Sequence, residues 1–140
     1  MKITTQLALF LDNRPGMLVR VCEALAEAGI NIYAMSTSDT VDHTVIRMVV
    51  SDPRKALFLF EERGTLVVET DVLLVDASNK PGALAGICRK LARAKVNIEY
   101  CYCATPPEEQ QGLLVLRVSD AGKALRTLKP KAARRRTSKK

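Results

Sequence analysis

The sequence predicts an α+β fold made of two similar units in tandem, and three observations lead to this prediction. Residues 13–32 and 79–98 repeat the same phrase at an offset of 66 residues, with ten of the twenty positions identical. In each repeat, stretches with the period of two that is typical of strands alternate with stretches of helical spacing. The charges of residues 1–128 balance, as in a folded body, so the net charge of +7 comes from the last twelve residues.

The first unit opens with residues 7–12, where leucines alternate with other residues as in a strand. The segment "NRPG" ends this strand, and we expect its proline in the first turn of the next helix, because proline's fixed φ is already helical. Gly29 stands where that helix should end. The remaining elements are strands at 30–37 and 44–51 joined as a hairpin, a helix at 52–64 and a strand at 65–70. This order is that of the ferredoxin-like βαββαβ unit.

The second unit repeats this order but does not complete it. Its predicted elements are a strand at 72–77, a helix at 81–95, strands at 96–104 and 113–120, and a helix that begins near "SDAGKAL". The last strand should fall at 133–138, where "ARRRTS" has adjacent like charges and no apolar alternation. We therefore expect the second unit to lack its last strand. The open sheet edge should be covered by another chain or by the first unit, since open edges invite pairing.

The two units meet without a flexible linker. The chain passes between them through "TLVVETDVLLVDA", in which only Asp71 is a possible break. We expect a first domain at 1–70, a second, truncated domain at 71–128 and a basic tail at 129–140. The two units should be rigidly docked, with their sheets side by side.

The composition indicates a globular cytoplasmic protein. Hydrophobic residues make up 47% of the chain, and no apolar run approaches the roughly 18 residues of a membrane span. The first residues are typical of a strand and not of a signal peptide. The four cysteines are therefore expected to be reduced thiols and not a disulfide framework.

The repeated residues outside the helix core could form a receptor for a small ligand. A strand that turns into a helix through Pro-Gly leaves the first helical N–H groups without partners, and these groups attract a carboxylate. Asn13 and Asn79 add an amide that donates and accepts, and we expect Asn31 and Asn97 at the same end of the sheet. The alternative is that both pairs of asparagines only form turns, since a duplication copies turns as faithfully as sites.

The phrase "N-x-P-G-x-L", followed by an amphipathic helix and "N-I", resembles the signature of ACT domains, which are regulatory modules that bind amino acids at interfaces between modules. The resemblance covers residues 3–127 and is closest to small stand-alone bacterial proteins with tandem ACT domains. In the first copy it implies ligand contacts from Asn13, the backbone of Gly16, Met17 and Leu18, and Asn31 with Ile32. In the second it implies contacts from Asn79, the backbone of Gly82, Ala83 and Leu84, and Asn97 with Ile98.

We therefore expect a non-enzymatic, homo-oligomeric regulatory protein that binds a small ligand such as an amino acid. One alternative is a regulatory subunit of an amino-acid biosynthetic enzyme, because acetolactate synthase small subunits carry similar loops. The other is a nucleic-acid-associated protein that acts through its basic tail, although a solubilising tail with no dedicated partner is also compatible with "KAARRRTSKK".

No cofactor, metal or catalytic constellation is expected. Cys22 and Cys88 fall on the buried faces of their helices, where cysteine packs as a small hydrophobe. Cys101 and Cys103 share one face of a strand, with Tyr100 and Tyr102 on the other. A zinc site would need two further ligands from elsewhere, and the single histidine, His43, falls in a loop of the other unit.

Overall fold

The computed structural model describes residues 1–129. Predictions about residues 133–138 and about the basic tail, except for Lys129, fall outside the described residues. The elements are, in chain order, β1 (Lys2–Asp12), α1 (Met17–Glu27), β2 (Ile32–Asp39), β3 (His43–Val50), α2 (Pro53–Glu62), β4 (Leu66–Ser78), α3 (Ala83–Arg93), β5 (Ile98–Ala104), β6 (Gln111–Val118) and α4 (Ala121–Leu128).

The six strands form one sheet in the order β2-β3-β1-β4-β6-β5, and all neighbours are antiparallel. The first module consists of β1, α1, β2, β3, α2 and the first half of β4. The second module consists of the second half of β4, α3, β5, β6 and α4. This arrangement confirms the predicted α+β fold of two tandem ferredoxin-like modules.

The junction between the modules lies inside a single strand. The sequence predicted two strands that could break at Asp71, but β4 runs without interruption from Leu66 to Ser78. The segment has no Gly or Pro to interrupt the backbone, and Asp71 pairs with Thr5 of β1. The predicted domain boundary between residues 70 and 71 therefore falls within a continuous strand.

Strands β1 and β4 are each shared by both modules. Residues Lys2–Thr5 of β1 pair with Asp71–Leu74, on the side of β4 where a fourth strand of the second module would lie. Of the two covers expected for this edge, another chain or the first unit, the structure shows the first unit. The pairing has an internal two-fold symmetry. Thr4 pairs with Val72, and their counterparts in the other copy, Thr70 and Gln6, also pair with each other.

All four helices cover one face of the sheet. The first core packs α1 and α2 against the odd-numbered leucines of β1, such as Leu7 and Leu9. The second packs α3 and α4 against Leu73 and Val75, the counterparts of those leucines in β4. Both α2 and α4 also contact β1 and β4, so each module packs on both shared strands. No helix in residues 1–129 is long and apolar enough to cross a membrane.

No helix of residues 1–129 covers the opposite face. There the sheet curls over itself around Gln6, which is fully buried. The Gln6 amide donates to the Tyr100 hydroxyl at 2.7 Å, and the Tyr102 hydroxyl donates to Gln6 Oε1 at 2.9 Å. Tyr100 and Tyr102 belong to β5, which a flat sheet would place roughly 14 Å from β1. The sheet therefore curls until its edge lies over its centre, where Arg47 stacks 4.3 Å from the centre of the Tyr100 ring.

Candidate functional site

The two helices that follow the Pro-Gly segments begin with the same backbone geometry. Gly16 precedes α1 with φ 86° and ψ −6°, and Gly82 precedes α3 with φ 85° and ψ −6°. This left-handed conformation favours glycine, which explains why both repeats carry it. The helix begins at Met17, so the expectation that Pro15 lies in its first turn is wrong; the proline lies in the turn before the helix.

The N-termini of α1 and α3 are open, whereas those of α2 and α4 are capped. Asp52 accepts a hydrogen bond from the Lys55 N–H, and Asp120 accepts one from the Lys123 N–H. In α1 and α3 the glycine before the helix offers no side chain to do this. The N–H groups of Met17 and Ala83 bond to the carbonyl oxygens of Arg14 and Lys80, at 3.5 and 3.2 Å. The next N–H groups in the first turn of each helix remain available, together with the positive end of the helix dipole.

A cavity of about 260 Å³, the first loop pocket, lies at the start of α1. Its inner wall comes from the end of β1 and the following loop and helix: Leu11, Asp12, Asn13, Arg14, Met17 and Leu18. Its outer wall comes from the β2–β3 hairpin: Thr37, Ser38, Asp39, Thr44 and Ile46. The pocket therefore joins apolar, acidic and basic side chains to an open helix N-terminus.

The second module has a smaller cavity of about 150 Å³, the second loop pocket, in the corresponding position. Its inner wall consists of the counterparts of the first inner wall, each 66 residues later: Ala77, Ser78, Asn79, Lys80, Ala83 and Leu84. Its outer wall is formed by Cys103, Thr105, Leu113 and Leu114. Ser78 and Thr105 replace the two carboxylates of the first pocket, so only the first pocket has acidic walls.

The two asparagines of the loops have different surroundings. The side-chain amide of Asn79 donates to the carbonyl oxygen of Glu109 at 2.8 Å and lies 3.4 Å from that of Pro107. It thereby fastens the β5–β6 loop to the start of α3. Within residues 1–129 the Asn13 side chain has no hydrogen-bond partner, and only its backbone N–H bonds to the loop opposite, at Asp42 O, 3.4 Å away.

Four of the predicted site residues lie away from both pockets. The strand register puts Ile32 opposite Val50 and Asp39 opposite Thr44, so β2 begins at the sheet end opposite to the loops. The expectation that Asn31 and Asn97 lie beside Asn13 and Asn79 is therefore wrong within the chain, and Ile32 and Ile98 are displaced with them. The physical reason is that α1 and α3 run back along the sheet before the next strand starts.

At that opposite end, Asn31 and Asn97 are part of a backbone clamp. The Asn31 N–H donates to Ser51 Oγ at 2.9 Å, and the Ser51 N–H donates to Asn31 O at 2.8 Å. Asn97 and Ser119 repeat the two bonds at 3.0 and 2.9 Å. Both asparagine side chains are exposed. The turn interpretation accounts for their backbone contacts.

The sequence did not single out the charged residues of the first loop pocket. Asp12 and Arg14 flank Asn13 directly, so their presence beside the predicted loop could have indicated them. Asp39 comes from the far end of a hairpin, and only the pairing of β2 with β3 brings it to the site. Its role could not be read from local spacing.

The cysteines lie mainly around α3 and β5. Cys22 and Cys88 are half-buried, and Cys101 and Cys103 are exposed on the face opposite to Tyr100 and Tyr102, as predicted. Partial desolvation raises the pKa of Cys101, and neighbouring Cys88 and Cys103 raise that pKa further. In the described part of the chain no group of three or more His, Cys, Asp or Glu residues is arranged to hold a metal ion.

Known proteins share this architecture. A family model described as an ACT domain pair matches residues 1–131. The crystal structure of a protein from Bacteroides thetaiotaomicron is similar over 90% of this chain and 86% of that one, with 34% identity and a TM-score of 0.84. No protein of curated function matches the chain at a significant level.

Two more distant structures share the fold. The regulatory subunit of aspartate kinase from Thermus thermophilus, in its ligand-free form, matches over 91% of this chain and 95% of that one, with 20% identity and a TM-score of 0.67. The regulatory subunit of aspartate kinase from Thermus flavus matches over 90% and 92%, with 22% identity and a TM-score of 0.63. At these identities the likeness is one of fold.

Proposed function

Because the chain belongs to the ACT domain family as an ACT domain pair, we propose that it is a cytoplasmic regulatory protein that binds an α-amino acid and performs no catalysis of its own. The observation that carries this proposal is the first loop pocket. That pocket combines an open helix N-terminus, an amide without a partner in residues 1–129, and acidic side chains in one cavity of about 260 Å³.

The parts of the pocket match the charged ends of an amino acid. The α-carboxylate would bind the free N–H groups that follow Met17 in the first turn of α1, with Arg14 as an additional positive charge. The ammonium group would bind the carboxylates of Asp12 and Asp39 and the oxygen of Asn13. The side chain of the ligand would then face the apolar wall formed by Leu11 and Met17.

The second loop pocket is proposed to be closed to ligand. It is smaller, its counterparts of Asp12 and Asp39 are Ser78 and Thr105, and the Asn79 amide is bound to the β5–β6 loop. An ammonium group would find no carboxylate there. We expect one amino acid per chain.

Regulation would follow from the position of the pocket between α1 and the β2–β3 hairpin. A ligand that bridges these elements favours the conformation in which they are closest, and it shifts the population by its difference in affinity for the two conformations. A homo-oligomer or an enzyme partner that contacts this end of the first module would sense the change.

A thermal-shift screen of the twenty amino acids tests the proposal. A ligand at 100 times its Kd stabilises the folded chain by about 2.7 kcal/mol, which raises the Tm by several degrees. We expect one amino acid or a small group of related ones to do this. The shift should disappear in Asn13→Ala and in Asp39→Asn, because each change removes an acceptor for the ammonium group.

Asn79→Ala and Ser78→Ala are the matched controls, since they alter the same positions of the second loop pocket. Both should keep the shift. If no amino acid stabilises the chain, the proposal fails; if Asn79→Ala removes the shift and Asn13→Ala keeps it, the assignment to the first pocket fails.

A second candidate function is that of a regulatory subunit of an amino-acid biosynthetic enzyme. The observation that favours it is an apolar patch on the open face of the first module, formed by Phe10, Leu66 and Val68, which are 37%, 64% and 45% exposed. The repeat places the charged residues Asp76 and Lys2 at the positions that correspond to Phe10 and Val68. Exposed apolar groups where the duplicate has charges are typical of a protein interface.

Transfer of the charges tests this candidate. The double variant Phe10→Asp, Val68→Lys gives the first module the surface residues of the second, so it should fold. We expect the chain to co-purify with a catalytic enzyme subunit and the double variant to lose it. Retention of that subunit by the variant would exclude the patch as the contact.

A further inference from the structure

A groove of about 230 Å³ between α1 and α2 lies next to the first loop pocket and shares Leu11 and Met17 with it. Its floor is apolar and largely buried, with Leu11, Val21, Ala24 and Phe60 exposed by 9% or less. The rim carries two exposed arginines, Arg20 from α1 and Arg63 from the end of α2.

The two guanidinium groups have no acidic partner in the described residues. The single ion pair in residues 1–129 joins Arg117 and Glu99, and the side chains of Arg20 and Arg63 make no hydrogen bond there. Glu23 lies one helical turn after Arg20, but it does not line the groove. Two unpaired guanidinium groups above an apolar floor complement a ligand that has an anionic head and an apolar body.

Arg20 is not a by-product of the duplication. The residues of α3 that correspond to Arg20 and Ala24 are Gly86 and Lys90, so the second module has no guanidinium at the position of Arg20. The framework of the fold therefore does not require an arginine here. A Cβ atom added to Gly86 would meet nothing within 4 Å, so this position on the helix is open.

We propose that this groove binds a monocarboxylate with an apolar chain, whose carboxylate is held between Arg20 and Arg63 and whose chain lies on Val21, Ala24 and Phe60. Arginine binds carboxylates through two parallel N–H donors, and a neighbouring apolar surface strengthens such a pair by excluding water. The apolar floor would favour an apolar chain over a polar one.

Octanoate is the probe for this site, and its binding to the full chain is measured by calorimetry and by backbone amide NMR. We expect shifts concentrated at the amides of Val21, Ala24 and Thr65. The double variant Arg20→Gln, Arg63→Gln should weaken binding at least about tenfold, and octylammonium, which has the same chain and the opposite charge, should not bind in the groove.

The matched control is the double variant Arg89→Gln, Arg93→Gln, which removes two exposed arginines from α3 and should bind octanoate as the unaltered chain does. Asn13→Ala should also bind octanoate normally, so failure of the loop pocket and failure of the groove are separate results. The proposal is overturned if the unaltered chain does not bind octanoate, if the Arg20, Arg63 double variant binds it equally well, or if octylammonium gives the same shifts.

Discussion

The loops that contain Asn13 and Asn79 start their helices with φ angles of 86° and 85° at the preceding glycine, yet their side chains have different partners. The Asn79 amide is bound to the carbonyl of Glu109, whereas that of Asn13 has no partner in residues 1–129. The loop opposite Asn13 is a short hairpin turn, and the loop opposite Asn79 is the longer segment between β5 and β6. The same backbone conformation therefore occurs beside an asparagine without a hydrogen-bond partner in one copy, and beside an asparagine that holds the β5–β6 loop by a hydrogen bond in the other.

The shared strands show how closely the two modules depend on each other. Leu7 and Leu73 occupy equivalent positions in β1 and β4, and both are fully buried. Replacement of either by alanine should lower the free energy of unfolding by about 2–5 kcal/mol. Because β1 and β4 belong to both modules, the loss should appear in one cooperative transition.

Urea unfolding followed by far-UV circular dichroism and by hydrogen exchange measures this effect. Two separate transitions, with only one of them shifted by Leu7→Ala, would show that the modules unfold independently. The shared strands would then not couple the two modules.

The Gln6 cluster is a second difference between the modules. The counterpart of Gln6 is Val72, and those of Tyr100 and Tyr102 are Ala34 and Ser36. Gln6→Val, which introduces the residue of the repeat, should destabilise the chain by about 1–3 kcal/mol because the tyrosine hydroxyls lose their partner. Chemical denaturation measures this change.

Adding Tyr100→Phe and Tyr102→Phe to Gln6→Val should recover part of that loss, since no polar group is then left without a partner. A triple variant that is less stable than Gln6→Val would show that the aromatic rings need their hydroxyls for another reason.

The same cluster should make stability depend on alkaline pH. Burial raises the pKa of Tyr102, and neighbouring Tyr100 raises it further, against an opposing contribution from Arg47. As pH rises, the unfolded chain therefore loses the Tyr102 proton before the folded chain does. The contribution of this proton to the free energy of unfolding is complete below about pH 10 and declines as pH rises above it. Tyr102→Phe should make this decline shallower in urea titrations, whereas Tyr33→Phe, at an exposed tyrosine, should leave it unchanged.

The residues that follow α1 and α3 give the smallest expected difference in stability. Gly29 follows α1 with φ 70°, and Lys95 takes the equivalent position after α3 with φ 59°. Lysine is disfavoured in this conformation, so Lys95→Gly should stabilise the chain by about 0.5–1 kcal/mol, after allowance for the entropy that glycine adds to the unfolded state. Gly29→Lys should destabilise by a similar amount, and thermal unfolding of both variants measures the pair. An unchanged Tm for Lys95→Gly would mean that its side chain offsets the strain.

Much of the fold could be predicted from local patterns. The Pro-Gly segments and Gly29 each act over a few residues, so the helix ends that they predict agree with the structure to within a few positions. The alternation in residues 7–12 predicts a strand there, but β1 already begins at Lys2. Asn13 was expected in the loop from the same local pattern, and Met17 and Leu18 from the resemblance to ACT domains; all three line the first loop pocket. Asp39 and the displacement of Asn31 were not, because both depend on how β2 pairs with β3.

The sequence by itself determined that the chain has two copies of one unit, that each copy turns from a strand into an uncapped helix through Pro-Gly, and that the second copy has no apolar segment for a last strand. These properties follow from backbone preferences and side-chain periodicity within short segments. The tertiary structure decided that β4 is one strand, that Lys2–Thr5 covers the second module, and that Asn79 is bound while Asn13 is open. Each of these depends on which distant segments meet, and such contacts are set by the packing of the whole sheet.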